Sequence, residues 1–133
     1  MTLHISSEIL NALVQKSKAA LPEEACGLLF GVDDAVSGWI PTANVAAYPA
    51  RHFEIDPATL IAALRAERDG GEQVIGYWHS HPSGDARPST TDADSAAPDG
   101  RYWLIIGTEV LLWRAVAEGA LHGRFDPIAF DIV

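Results

Sequence analysis

The sequence contains one cysteine, Cys26, and half as many basic as acidic residues. A single thiol cannot close an internal disulfide, so the fold must rest on a packed core. One unpaired cysteine is also compatible with a reducing compartment, and a cytoplasmic location is expected. Nine Lys plus Arg stand against 18 Asp plus Glu, for a formal net charge of −9, and the nine are scattered from Lys16 to Arg124. Without a basic patch, nucleic-acid binding by charge is not expected. There is no run of about 18 apolar residues to span a bilayer, and the N-terminus does not read as a secretory leader. The paired-cysteine zinc signature of nucleoside deaminases is also absent. What remains, at 133 residues and 48% hydrophobic, is the size and composition of one globular domain over 1–133 with room for a proper core.

Histidine is scarce too, at five residues, yet two of the five fall in one segment, HSHPSGDARPSTTD, which runs from His79 to Asp92. Two imidazoles and a carboxylate, His79, His81 and Asp92, make a three-ligand set for a catalytic zinc, which keeps a fourth position open for water. Iron, cobalt or nickel accept the same donors in principle. The spacing has a mechanical logic. Gln73 to Trp78 reads as a buried strand between Gly70-Gly71 and Pro82. Residues two apart on an extended chain point to the same side, so His79 and His81 can face one ion from the strand's end. Past Pro88 a short helix is expected, with a hydroxyl N-cap and acids in its first turn. That helix would set Ser89 and Asp92 on one face and turn Asp94 away. Taken singly, each residue has an ordinary alternative: a surface histidine, a helix cap, a first-turn acid. The four types at fixed offsets read together as a metal site.

The rest of the chain supplies a scaffold. Glu8 to Leu21 has helical apolar spacing, capped by Ser6 or Ser7. Strands are expected at 25–31 and 36–41, turning at Asp33-Asp34, and again at 52–55. Asp56-Pro57 opens a second helix that ends at Gly70-Gly71. Strands at 101–107 and 109–117 follow the metal segment, and a last pair is expected near 119–125 and 128–132. This order predicts an α/β fold, a mixed curved β-sheet sandwiched between helices. Trp39, Trp78, Trp103 and Trp113 are expected in the core or on sheet faces, with Trp78 on the face opposite the two histidines. Cys26 is expected as a small buried strand residue.

The segment His79, His81, Ser89, Asp92 fits H-x-H-x7-S-x-x-D, and upstream stands Glu24-Ala25-Cys26-Gly27-Leu28-Leu29-Phe30-Gly31. On both counts the sequence resembles the JAMM, or MPN-plus, zinc metallopeptidases, in their prokaryotic stand-alone JAB-domain branch. The resemblance implies the JAMM/MPN-like sheet with a cytidine-deaminase-like core, one catalytic Zn2+ on His79, His81 and Asp92, Glu24 as general base, and Ser89 supporting the intermediate. The chemistry requires such a glutamate in any case, because an amide needs a proton delivered to its leaving nitrogen. Glu23 is the ordinary loop acid beside it. A serine hydroxyl at Ser89 would donate to the developing oxyanion.

The resemblance further implies hydrolysis after the C-terminal Gly-Gly of a ubiquitin-like modifier, a deubiquitinase-like isopeptidase activity. Only nine residues separate Asp92 from Tyr102, too few for the inserted loops of members specific for ubiquitin chains. An extended substrate tail is expected to add beside a sheet edge, its glycines passing close to the metal. Processing of a ThiS/MoaD-like sulphur-carrier protein for cysteine or cofactor synthesis is the alternative within hydrolases. A catalytically silent zinc-bearing scaffold is the alternative outside them. HPSGDARPS also resembles the metal segment of RadC-type proteins, whose preceding helical DNA-binding region is not found here.

Overall fold

The structure, a computed structural model, describes residues 2–133. Its elements in chain order are β1 (Thr2–Ile5), α1 (Ser7–Ala20), β2 (Cys26–Val32), β3 (Ala35–Thr42), α2 (Pro57–Arg68), β4 (Gln73–Ser80), α3 (Thr90–Ser95), β5 (Tyr102–Ile106), β6 (Val110–Gly119) and β7 (Gly123–Ile132). The seven strands lie in the order β1-β3-β2-β4-β5-β6-β7. Pairing is antiparallel except for β4 with β5 and for β1 with both β3 and β7. Because β1 joins β7, the mixed sheet closes into a barrel. The seam is uneven: β1 meets β7 through four residue pairs and β3 through the single pair His4 and Ala35.

The expected sandwich is present. Leu29, Trp78, Leu104 and Leu112 gather with Leu13 of α1 into one cluster. Cys26, Leu28 and Val74 point the other way and pack with Leu60, Ala63 and Leu64 of α2. Alternation along β2 sends its side chains to one of two helices, and in β4 a bulge between Val74 and Gly76 shifts the pattern, so that Val74 and Trp78, though four residues apart, face opposite ways. β5 is buried at all five of its positions, the pattern of a central strand with both faces covered. Ser6 caps α1, its Oγ accepting from the Ile9 amide at 3.1 Å. Asp33 takes a positive φ of 55° in the β2–β3 turn, a conformation Asp tolerates better than most residues. No described helix is long and apolar enough to cross a membrane.

Three expectations need correction. Residues 52–55 are not a strand; they belong to an irregular stretch whose sole ladder contact is an isolated bridge between Asn44 and Ile55. The backbone there is bonded largely by the Asn44 side chain, whose Oδ1 accepts from the Glu54 amide and whose Nδ2 donates to the His52 carbonyl, in place of a neighbouring strand. In place of the final pair near 119–125 and 128–132, Gly119 ends β6, residues 120–122 form a turn, and one continuous strand, β7, runs from Gly123 through Pro127 to Ile132. Proline is tolerated there because, among the described residues, β1 pairs with β7 from Ala129 onward, so Pro127 has a described strand neighbour on one side. Finally, β1 is an element the periodicity did not announce, being four residues long.

One packing detail is testable. The Trp78 indole lies across Gly27, its Nε1 donating to the Ile40 carbonyl at 3.2 Å. A methyl group at Gly27 would collide with both that carbonyl and the indole. Gly27→Ala is expected to destabilise the protein by about 1–3 kcal/mol through overpacking, read as a lowered melting temperature. An unchanged melting temperature would count against this packing.

Candidate active site

β4 delivers the first histidine. Its end is clamped between β2 and β5, with His79 paired to Cys26 on one side and Ile105 on the other. His79 shares a face with Tyr77, while Trp78 enters the α1 cluster on the opposite face, as the alternation required. His79 is fully buried and His81 nearly so. The His81 amide continues the β5 ladder, donating to the Ile106 carbonyl at 2.9 Å, before the chain turns at Gly84 with φ 90°. That turn brings the Asp85 carbonyl to 2.6 Å from His81 Nδ1. With Nδ1 donating there, Nε2 carries the lone pair and points inward.

α3 delivers the carboxylate. Ser89 is its N-cap in a reciprocal capping box: Ser89 Oγ accepts from the Asp92 amide at 3.0 Å, and the Ser89 amide donates to Asp92 Oδ2 at 2.9 Å. The loop before it is pinned twice, by Trp113 Nε1 donating to the Ala86 carbonyl and by His122 Nε2 within 3.1 Å of the Pro88 carbonyl. Asp92 is buried and Asp94 exposed, as expected for a helix start at Ser89.

The two elements converge on one point. Asp92 Oδ2 lies 3.3 Å from His79 Nε2 and 3.1 Å from His81 Nε2, and the two nitrogens are 3.0 Å apart. Donors at about 2.0–2.1 Å from an ion in tetrahedral arrangement stand about 3.3 Å from one another. Two inward lone pairs and an anionic oxygen at this spacing fit a cation. The site's electrostatics agree. In the ion-free site protons on these two nitrogens stand where a cation would: burial pushes Asp92 up, but hydrogen bonds donated by His79 and His81 outweigh it and hold the carboxyl well below the usual range. Burial holds the His79 imidazole below its ordinary value. For His81 burial acts the same way, but Asp92 and the Asp85 carbonyl win and raise it.

Glu24 sits just ahead of β2 and is 4% exposed. Its backbone is fixed on both sides: the amide donates to the Pro49 carbonyl at 2.8 Å, and the carbonyl accepts from Asn44 Nδ2 at 3.0 Å. The next residue, Ala25, is clasped by Ser80, whose Oγ accepts from the Ala25 amide at 2.8 Å and whose amide donates to the Ala25 carbonyl at 3.0 Å. Ser80, between the two histidines, therefore ties the strand bearing them to the segment bearing the acid. Donor atoms of Glu24, His79 and His81 all lie within 4.8 Å of one another. No hydrogen bond joins Glu24 to either histidine among the described residues, in contrast to the tight triangle that includes Asp92. Glu24 Oε1 is buried without a hydrogen-bond partner among the described residues. Burial pushes its carboxyl up to about 7, against the pull of His81 and with a further push from Asp92.

Two cavities flank this centre. A cleft of about 580 Å³ is lined by Phe53, Tyr77, Thr91, Ala96 and Trp103, and a smaller one of about 240 Å³ by Ser80, His81, Lys18 and Leu21. Trp103 therefore does more than fill the core, since it walls the larger cleft and sets its edge against His79. The structure thus brings Glu24, His79, His81 and Asp92 together, with Ser89 capping the helix beneath Asp92. Phe53, Asn44, Ser80 and the Asp85 carbonyl also shape the site. None carries a motif; the one hint in sequence was Ser80's place between two histidines. Cys26 is buried, as expected, with burial raising its thiol.

A family described as prokaryotic homologs of the JAB domain matches residues 6–117. Among curated proteins, the chain is 41% identical over 86 residues to a desampylase of Haloferax volcanii, a match covering 63% of this chain and 62% of that protein. It is 33% identical over 106 residues to the CysO-cysteine peptidase of Mycobacterium tuberculosis, covering 77% and 72%. Among solved structures, the protein DSY2949 from Desulfitobacterium hafniense superposes with a TM-score of 0.84 at 26% identity, covering 99% of this chain and 93% of that one. With the family match running from the first helix into β6, the chain belongs to the prokaryotic homologs of the JAB domain.

Proposed function

We propose that this chain is a zinc-dependent peptidase or isopeptidase that cleaves after the C-terminal Gly-Gly of a ubiquitin-like or sulphur-carrier protein, in the cytoplasm. His79, His81 and Asp92 would hold the ion. When bound, zinc supplies Lewis acidity, bringing the pKa of water to about 7 and polarising a carbonyl. Glu24 takes the proton from the attacking water and returns it to the departing nitrogen. Ser89, whose Oγ accepts from the Asp92 amide, keeps its own proton for the developing oxyanion.

The observation that carries this reading is the placement of Glu24. It is a buried carboxylate with an unpartnered oxygen, close to both imidazoles and outside the tight triangle, with a carboxyl near 7. That value belongs to the ion-free site; a cation in the triangle would draw it down and favour the ionised form that a base requires. The cleft walled by Phe53 and Trp103 would hold the tail. Because the sheet is closed, strand addition is limited: β3 beyond Val36 has a strand neighbour on one side, and it ends at Thr42 opposite Cys26. Similarity to a desampylase and to a CysO-cysteine peptidase supports the substrate class. The latter favours release of a small adduct from a carrier protein as the second reading. A silent scaffold would have no use for a buried acid beside the metal triangle.

Glu24→Gln is expected to retain zinc while cleavage of a ubiquitin-like protein fused through Gly-Gly falls at least about 100-fold, followed by mass spectrometry. Wild-type turnover in that variant would remove Glu24 as the base. His81→Ala is expected to lower zinc content by elemental analysis, and full occupancy would strike it from the ligand set. The folded carboxyl of Glu24 titrates at about 7, above its ordinary 4.5, so the native metal-free protein binds a proton that the unfolded chain releases. Its stability therefore falls as pH rises through that window. Metal-free Glu24→Gln should accordingly melt higher than wild type at about pH 8 and level with it at about pH 4. Equal melting at both pH values would contradict the raised carboxyl.

A further inference from the structure

A histidine that binds metal is ordinarily aimed by a hydrogen bond from its other ring nitrogen to a carboxylate or carbonyl. His81 follows that rule through the Asp85 carbonyl, at 2.6 Å. His79 does not. Its Nδ1 is buried and has no hydrogen-bond partner among the described residues.

Aromatic rings surround it instead. Phe53 lies nearly parallel to the imidazole, with centroids 4.1 Å apart and planes inclined by 22°. Trp103 meets the same imidazole edge-on, at 5.6 Å and 89°, and meets Phe53 at 5.4 Å and 70°. The stack opposes tilting of the imidazole and the perpendicular indole opposes sliding. Together they exclude water from Nδ1.

Trp103 is fixed by its place in β5, but Phe53 lies between β3 and α2, outside any strand or helix. Asn44 organises that stretch. Its Nδ2 donates to the carbonyls of Glu24 at 3.0 Å, Pro49 at 3.3 Å and His52 at 2.9 Å, and its Oδ1 accepts from the amides of Ala46 and Glu54, both at 3.1 Å. Residues 52 and 54 are both held by one side chain, and Phe53 is the residue between them. The same amide grips the backbone of Glu24.

We propose that Phe53 is a positioning residue that fixes the His79 ring by stacking, where His81 is fixed by a hydrogen bond. Asn44 sets Phe53 in place and couples it to the segment bearing Glu24. This inference rests on the zinc peptidase reading, and it assigns to one loop the alignment of both the metal ligand and the acid.

The test compares wild type, Phe53→Leu, Phe53→Tyr and Asn44→Ala for zinc affinity, by competition with a chelator, and for kcat and KM on the Gly-Gly fusion. Phe53→Leu keeps an apolar side chain but loses the flat face, and is expected to weaken zinc by about 10- to 100-fold, the range for lost ligand support. Phe53→Tyr should restore near-wild-type affinity, a rescue that mere filling of space would not require. Asn44→Ala, which touches none of the three metal ligands, should weaken zinc in the same direction and lower kcat. Should Phe53→Leu fail to fold by circular dichroism, the Phe53→Tyr and Asn44→Ala measurements decide. Undiminished zinc affinity in folded Phe53→Leu, or in Asn44→Ala, would overturn the inference and leave the function reading standing. A wild-type chain that binds zinc but cleaves nothing would remove the function reading, with the effect of Phe53 on affinity still legible. A wild-type chain that binds no zinc would remove both.

Discussion

A carboxylate oxygen buried against two imidazole nitrogens is the constraint around which the rest of this molecule is arranged. In an apolar interior an unpaired anion is costly, and two facing lone pairs repel. Such a triangle persists only where each corner is held from outside it. One corner is the end of β4, clasped by strands on both sides. The second is the tight turn after it, held by the Asp85 carbonyl. The third is the first turn of α3. Three separate backbone devices meet at a single point, and a cation of the right size removes the conflict among them.

The same constraint explains how the core is divided. A closed sheet with a helix on either face has two apolar layers, and β2 and β4 alternate between them. The β4 end can therefore be dry on the α1 side, where Trp78 sits, and chemically active on the other. Seen this way, Gly27 is part of the site's foundation. Its missing side chain lets the indole lie flat against β2, and β2 carries Glu24 at its head.

The sequence was most informative where chemistry demands both a residue type and a spacing. His79, His81, Ser89 and Asp92 stood out because strand and helix periods translate directly into shared faces. The helices and most strands followed from apolar period and caps. Legibility ended where long-range contacts decide. Nothing local marks Asn44 as the hub of a loop, because its partners lie up to 20 residues away. Phe53 looked like a strand residue, since an aromatic two residues before Ile55 has strand character, yet its neighbours are the His79 ring and a tryptophan from β5. The gap expected between 125 and 128 lies inside β7, where Pro127 has a described strand neighbour on one side. β1 was too short to show a period, although it is the strand that closes the barrel.

The capping box at Ser89 and Asp92 has an implication for how the centre assembles. Six residues are far too few for a helix to persist on its own, so α3 depends on the bonds at its first turn. Those bonds are also what aims the carboxylate. Helix order and ligand presentation are thus one equilibrium: whatever captures the carboxylate also nucleates the helix, and fraying of that turn releases both together. Local melting of six residues would then disperse the cluster of Asp92, His79 and His81.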